Sequence, residues 1–385
     1  MATENNNKTL NVPNLRFPEF SGEWKSNELH KVASLSKGTG ISKDQLSDSG
    51  HPCILYGELY TKYKSEIIRE VYSKTQLDVA NLVKSHTNDV IIPCSGEAAI
   101  EIATARCVLI SEVLLGGDLN IIRLNGCHDG GFFAYQLNGK RKVDIAKVAQ
   151  GVSVVHLYGE HLKKVKVSYP SLKEQQKISS FLALLDERIA TQIKIIEDLK
   201  KLKSAIRARV FKQLESNCEC WTEIGNMLQY EQPSKYLVAS TEYSDSYATP
   251  VLTANKAFIL GYTDEEFGIY SKGECVIFDD FTMDVKYVNF PFKVKSSAIK
   301  ILTSNSGNDL YFVYEYLQNL GLVSEEHKRH YISEIEPMIV ACPTFEEQQN
   351  ISNLLRSFDS KIECANRELT LYNKQKQYLL SQMFI

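Results

Sequence analysis

The segment Glu174-Gln175-Gln176-Lys177-Ile178-Ser179 returns as Glu347-Gln348-Gln349-Asn350-Ile351-Ser352, and the offset of 173 residues holds without a gap from Tyr158–Phe211 to Tyr331–Phe384. A two-copy repeat of this period is not a solenoid, whose units span about 20–50 residues. It marks a duplicated half-protein. Each copy opens on a helix-start signal, Pro170-Ser171-Leu172-Lys173-Glu174 and Pro343-Thr344-Phe345-Glu346-Glu347. Both fit the capping box, in which a hydroxyl accepts an orphan amide proton and the glutamate reaches back to the cap amide.

A heptad rhythm runs on from each start. The first copy places Ile178, Leu182, Leu185, Ile189, Gln192, Ile196, Leu199, Lys203 and Ile206 at alternating steps of four and three. In the same register the second places Ile351, Leu355, Phe358, Ile362, Ala365, Leu369, Tyr372, Lys376 and Leu379. Neither run contains Pro or Gly, and at 1.5 Å per residue each helix reaches roughly 60 Å. Such long stripes predict a coiled coil. A parallel pair would require the intervening chain to run back the full helix length, so antiparallel packing is expected. Gln192, Lys203 and Lys376 interrupt the apolar stripe; polar seam residues weaken a coiled coil but fix its register.

Residues 24–168 and 221–341 read differently. Short apolar runs such as DVIIPCSG, ARCVLISEVLL, GECVIFDDF and KYVNFPFKV alternate with turn residues, predicting strand-rich globules. Each opens on a tryptophan, Trp24 or Trp221, and the two share little sequence. The fold class expected is α+β: two globular domains separated by two long helices that pair antiparallel. The expected order is a flexible tail over 1–20, a globule over 21–168, a helix over 169–215, a second globule over 216–341 and a second helix over 342–385.

Composition excludes several classes. Hydrophobic residues make up 43% and charged residues 24% of the 385, as in ordinary soluble domains. No apolar run approaches the length of a membrane span, and the polar, Asn-rich start argues against a secretory signal. Nine scattered cysteines without a Cys-x-x-Cys predict reduced thiols and a cytoplasmic setting, with no zinc.

Signals for catalysis are poor, and no catalytic or metal residue is assigned. There is no phosphate-binding glycine loop, so Asp186-Glu187-Arg188 reads as a solvated helix flank. Asn289-Phe290-Pro291-Phe292 resembles the loop of amino-methyltransferases but lacks the glycine-rich cofactor loop that must accompany it, and reads as strand and turn. Asp279, Asp280 and Asp284-Val285-Lys286 read as a polar hairpin, and His327 and His330 as basic surface. The chemistry the globules do offer is aromatic and cationic. Tyr56, Thr61, Lys62 and Lys64 interleave in the first, and Asn255 and Lys256 sit in an expected tight turn of the second; these residue types read base edges and hold phosphates. Charge sets a limit. Residues 1–168 carry 20 basic and 18 acidic side chains, 169–215 carry 10 and 6, and 216–341 carry 9 and 18. An acidic second globule holds DNA poorly by itself, because affinity rests largely on counterion release.

The ordered set of NVPNLRFPEFSGEW, GGDLN at 116–120, LTANKAFILGY at 252–262 and the two EQQ helices resembles the specificity subunit of type I restriction–modification systems. The resemblance covers nearly the whole chain. It implies a non-catalytic subunit in which each globule reads one half of a bipartite, asymmetric double-stranded DNA target. It implies that the helices space the globules and dock two methyltransferase subunits, with restriction subunits joining. S-adenosylmethionine, ATP and Mg are then implied for those partner chains and no cofactor for this one. Some family members carry a further helical extension, which is not expected after Phe384. The DNA-contacting roles of Tyr56, Thr61, Lys62, Lys64, Asn255 and Lys256 come from the same resemblance. Two rival readings remain: a coiled-coil scaffold whose globules bind proteins, and a degenerate DNA methyltransferase or nuclease.

Overall fold

The computed structural model describes residues 10–151, 153–253, 258–324 and 328–385. The chain divides into two compact units, one running to Lys194 and including Arg367–Ile385, the other Ile195–Asn366. The four principal helices are α1 (Gly130–Asn138), α2 (Leu172–Asn217), α3 (Leu310–Asn319) and α4 (Phe345–Gln382).

The first unit is organised by a five-stranded sheet in the order 33–37, 119–124, 89–93, 106–108, 67–68, antiparallel except for its last pair. Strand side chains alternate between faces, and here both faces are covered. Val90, Ile92 and Ile122 join a core with Trp24, Phe132, Tyr135, Ile178, Leu182, Leu379 and Phe384. Ile91, Leu119 and Ile121 join another with Ile54, Leu59, Tyr63 and Leu115. All five residues of Asp89–Pro93 are therefore buried. One sheet face carries α1 and the ends of the long helices; the other carries the 51–64 region.

The second unit repeats this plan with a four-stranded antiparallel sheet, 228–231, 299–304, 275–279, 285–288. Val276, Phe278 and Leu302 pack with Phe211, Phe312 and Leu355. Cys275, Ile277, Ile299 and Ile301 pack with Tyr236, Leu252, Tyr270 and Phe292. On that second face lies a three-stranded sheet, 259–263, 249–252, 293–294.

The repeat thus reaches into the globules, beyond what the sequence comparison suggested. Asp129 caps α1 by accepting the Phe132 amide at 2.8 Å, and Asp309 caps α3 by accepting the Phe312 amide at 2.8 Å. Phe132 packs on Phe384 with ring centroids 5.1 Å apart, and Phe312 on Phe211 at 5.5 Å; Phe211 and Phe384 differ by the repeat offset of 173. The first glutamine of each EQQ fastens the two elements together. The Gln175 oxygen accepts the Asp129 amide at 3.0 Å while its nitrogen donates to the Pro170 carbonyl at 2.9 Å. Gln348 does the same to Asp309 and Pro343 at 2.9 and 3.0 Å. Both side chains are buried, whereas Gln176 and Gln349 are exposed.

Within the first unit, Asp186 meets Lys376, Arg188 lies over Tyr372, and Gln192 donates to Glu368. Rising numbers on α2 meet falling numbers on α4, so the helices run antiparallel. In the second unit Lys203 meets Asp359 at 2.6 Å. Of the expected seam residues, Ile178, Leu182, Leu185, Ile196, Leu355, Phe358 and Leu379 are buried, and Ile189, Leu199, Ile206, Ile351, Ile362, Leu369 and Tyr372 are half-buried. Several serve two surfaces at once, since Ile178, Leu182 and Leu185 also belong to the first globule's core and Leu355 to the second's.

Four expectations need correction. Asp186 is no solvated flank: it is buried and accepts from Ser65 at 2.9 Å and Tyr135 at 2.8 Å. The reciprocal capping box forms only in the second copy, where Glu347 accepts the Thr344 amide at 3.0 Å. Glu174 turns away to take Arg16 bidentately at 2.7 and 2.8 Å, and the Trp24 indole N–H at 3.3 Å. Residues 10–20 are consequently fastened rather than loose: Phe17 packs edge-on against Phe181 and the Leu15 amide donates to the Gln382 carbonyl. Finally, the two tryptophans are not equivalent. Lys25 pairs with Tyr169, and the repeat-matched register places Cys220 beside Cys342, so Trp221 falls at the place of Ser26. Trp24 is buried and Trp221 exposed.

The cysteines offer a check on these burial patterns. Cys53, Cys94, Cys107 and Cys275 are buried, while Cys127, Cys220 and Cys364 are exposed. Burial disfavours the thiolate, pushing Cys94 up to about 11 and Cys275 to about 12. Alkylation of the native protein at pH 8, followed by mass spectrometry, should label the three exposed thiols first and the four buried ones only on unfolding. Early labelling of Cys94 or Cys275 would contradict the two-faced sheets.

Candidate nucleic-acid interface

Tyr56, Thr61, Lys62 and Lys64 lie together in the first unit, on and around a short helix, Glu58–Thr61, at the sheet face opposite α1, and Lys62 and Lys64 also wall a cleft with Asp186, Glu187 and Ala190 of α2. Leu59 and Tyr63 point into the core, which leaves Tyr56, Thr61, Lys62 and Lys64 outward. The segment forms a ridge between two clefts of about 730 and 690 Å³, both of which include Tyr56, Gly57 and Thr61 in their walls. Each cleft matches the size of a small-molecule or base-sized site.

The cations of this ridge are partly engaged. Lys62 bonds the Ser73 hydroxyl at 2.6 Å and pairs with Glu58 at 2.7 Å, and Lys64 donates to the Tyr60 carbonyl at 2.9 Å. Thr61 donates to the Gly57 carbonyl at 3.0 Å, as a hydroxyl in a helical turn does. Tyr56 is the ridge residue that presents a large aromatic face outward, at 39% exposure. Three cations that the sequence reading passed over line the same clefts: Lys142 and Arg106 in the first, Lys43 in the second. Lys43 sits in a polar stretch without an aromatic neighbour, and Arg106 lies in an apolar run that reads only as strand, so neither carried a sequence signal.

Arg106 is nearly buried. Its guanidinium donates to the Tyr63 carbonyl at 3.1 and 3.0 Å and to the Leu59 carbonyl at 3.5 Å. It thus satisfies the orphan carbonyls at the end of the short helix, where the dipole also favours a cation.

In the second unit, Asn255 and Lys256 lie outside the described residues. The strands flanking them, 249–252 and 259–263, stand on the sheet face away from α3. Ile259, Leu260 and Phe267 are exposed there, Phe267 at 64%. The buried Lys293 is taken by Glu265 at 2.6 Å and by the Phe267 carbonyl at 2.7 Å.

The candidate enzymatic motifs have structural duties. Asp280 is buried and accepts the His330 and Tyr331 amides at 3.1 and 2.9 Å, with Lys300 at 3.2 Å. Asp279 accepts the Phe281 and Thr282 amides in the hairpin turn. His330 is buried between Glu334 and Ser324 rather than on a basic surface, and His327 lies outside the described residues. Phe292 of the Asn-Phe-Pro-Phe stretch is a core residue bridged to Tyr270. Among the described residues no cluster of His, Cys, Asp or Glu is placed to hold a metal, and no helix is long and apolar enough to cross a membrane.

Two units built on one plan, with repeated helices on one face of each sheet and unlike structures on the other, define a duplicated two-headed architecture. Residues 21–201 match the model of the type I restriction modification DNA specificity domain. The chain is 42% identical over 176 residues to the type I restriction enzyme EcoR124I/EcoR124II specificity subunit of Escherichia coli, a match covering 42% of this chain and only 44% of that relative. Its fold is similar to that of the type I restriction–modification S subunit of M. genitalium, with TM-score 0.64, 16% identity and coverage of 97% and 99% of the two chains. A chain from a structure of type I system assembly and conformational transition matches with TM-score 0.56, 14% identity and coverage of 94% and 97%.

Replacing Arg106 by Met should strip the Leu59 and Tyr63 carbonyls of their partner. The cost is about 1–3 kcal/mol. It should appear as faster amide exchange in residues 58–64, with Asp89–Pro93 unchanged. Unaltered exchange in 58–64 would show that the guanidinium does not hold the ridge.

Proposed function

We propose that this chain is the DNA sequence-recognition subunit of a type I restriction–modification complex, itself without catalytic activity. Each globule reads one half of a bipartite, asymmetric double-stranded target. The observation carrying this reading is the duplication itself: one sheet face in each unit is committed to repeated helices, while the opposite face bears a different structure in each. Two unlike readers on a repeated frame call for two unlike half-sites, because half-site arrangement mirrors the protein's own symmetry.

The first reader is the ridge of Tyr56, Thr61, Lys62 and Lys64 with its flanking clefts, and the second is the segment containing Asn255 and Lys256. The helix pair docks two methyltransferase subunits, and restriction subunits join them. S-adenosylmethionine, ATP and Mg act on those chains, in the cytoplasm. The acidic balance of residues 216–341 fits this division of labour, since partner chains would supply much of the cationic surface facing the phosphates.

Exchanging residues 221–341 for another head of this type should alter one half of the target and leave the other unchanged, as read by sequencing modified bases in cells carrying the system. Changes in both halves would contradict independent readers. Binding by the assembled complex should weaken steeply with salt, and less steeply for the isolated chain, whose own phosphate contacts are fewer. Equal slopes for the two would remove the assigned role of the partners in holding DNA.

A further inference from the structure

The ridge in the first unit ends at Lys64, and the next two residues enter a buried ionic cluster. Ser65 donates to Asp186 of α2 at 2.9 Å, and Glu66 takes Lys376 of α4 at 2.5 Å. Lys376 also meets Asp186 at 2.6 Å, and Tyr135 of α1 donates to the same carboxylate at 2.8 Å. Glu66 is held besides by Asn138 at 3.2 Å, and its carbonyl accepts the Cys107 amide at 2.7 Å. Residues 65 and 66 are therefore bonded to both long helices at once, directly behind the candidate DNA-reading segment. Arg106, one position before Cys107, grips the same segment from below.

The second unit shows that this coupling is not a by-product of the repeat. Lys203 and Asp359 occupy the repeat positions of Lys376 and Asp186 and pair at 2.6 Å. There the additional carboxylate is Glu315 of α3, at 2.6 Å from Lys203. A frame helix supplies it, whereas in the first unit it comes from the chain leaving the ridge. The lysine and aspartate belong to the repeated frame; the connection to a reading segment belongs to the first unit.

We infer that the Glu66–Asp186–Lys376 cluster is a positioning device that sets the Tyr56–Lys64 segment against the helix pair, and so governs discrimination in the first half of the target. This rests on the proposed reading of that segment as a DNA reader. An ionic cluster buried among packed side chains has one low-energy geometry, and a carboxylate left there without its cation is strongly disfavoured. Removing the lysine drives Glu66 toward water, which draws on the adjoining residues 56–65.

The test uses the chain assembled with its methyltransferase subunits and a methyl donor. Methylation rates are compared on the target found by sequencing modified bases, on targets changed at one base in the first half, and on targets changed in the second. Lys376→Met should lower the first-half discrimination ratio by about tenfold, the scale of one good base contact, and leave the second-half ratio unchanged. Lys376→Arg should retain both ratios. Lys203→Met, which removes the repeat-matched lysine, should leave the first-half ratio at its normal value.

An unchanged first-half ratio in Lys376→Met overturns the inference, as does equal loss in both halves or loss of first-half discrimination in Lys203→Met. Should Lys376→Met fail to assemble, Glu66→Ala cuts the same link from the side of the reading segment, removing the bonds to Lys376 and Asn138, and the same first-half loss or its absence decides. A wild-type complex with no preference in its first half would instead overturn the assignment of the reading segment, whatever the variants do.

Discussion

A single buried amide in each unit joins the helix pair to the sheet. Gln175 spans the Pro170 carbonyl and the Asp129 amide, and Gln348 spans Pro343 and Asp309. Each satisfies backbone groups that would otherwise be orphaned at two helix starts, and a buried unsatisfied group costs about 1–3 kcal/mol. Because the amide bonds at both ends, it fixes the entry of a long helix relative to the capped helix behind the sheet.

The helix pair is specified in the same economical manner. Lys376 and Lys203 enter a largely apolar seam and meet Asp186 and Asp359, the reciprocal positions of the repeat. Burial alone would lower the Lys376 ammonium, but Glu66 and Asp186 hold it above its ordinary value. Burial pushes Glu66 up, whereas Lys376 keeps Asp186 below its usual range despite burial. Such clusters add little net stability over a packed apolar seam and penalise any register that separates the partners.

The long helices were legible in the sequence because heptad spacing and helix-start residues are local signals. So was the antiparallel sense, because chain length between the copies limits the alternatives. The partners of the seam charges were not. Asp186 looks like any exposed acid on a helix until the chain from Ser65 and the side chain of Tyr135 close over it. Glu174 satisfies the capping pattern, yet Arg16 offers two charge-assisted bonds in place of one neutral amide and wins. The repeat within the globules was hidden because its matched residues, Asp129 with Phe132 and Asp309 with Phe312, stand at a different offset from the helices. Of the ridge, residue types could be read but not the engagement of Lys62 and Lys64, which depends on Glu58, Ser73 and Tyr60.

The alternation within the central strands has a consequence for how such a molecule can change. In Asp89–Pro93, Val90 and Ile92 face the helices while Ile91 faces the 51–64 region, and in Cys275–Asp279 Val276 and Phe278 likewise face the helices while Ile277 packs with Leu252 and Phe292. The border between the repeated scaffold and the adaptable part is thus a plane through the sheet, not a pair of cut points along the chain. Drift can accumulate on odd positions of a strand while even positions stay under constraint. Transplanted wholesale, a head carries half of the scaffold's core with it, and must bring an Asp-capped helix able to receive the host's glutamine.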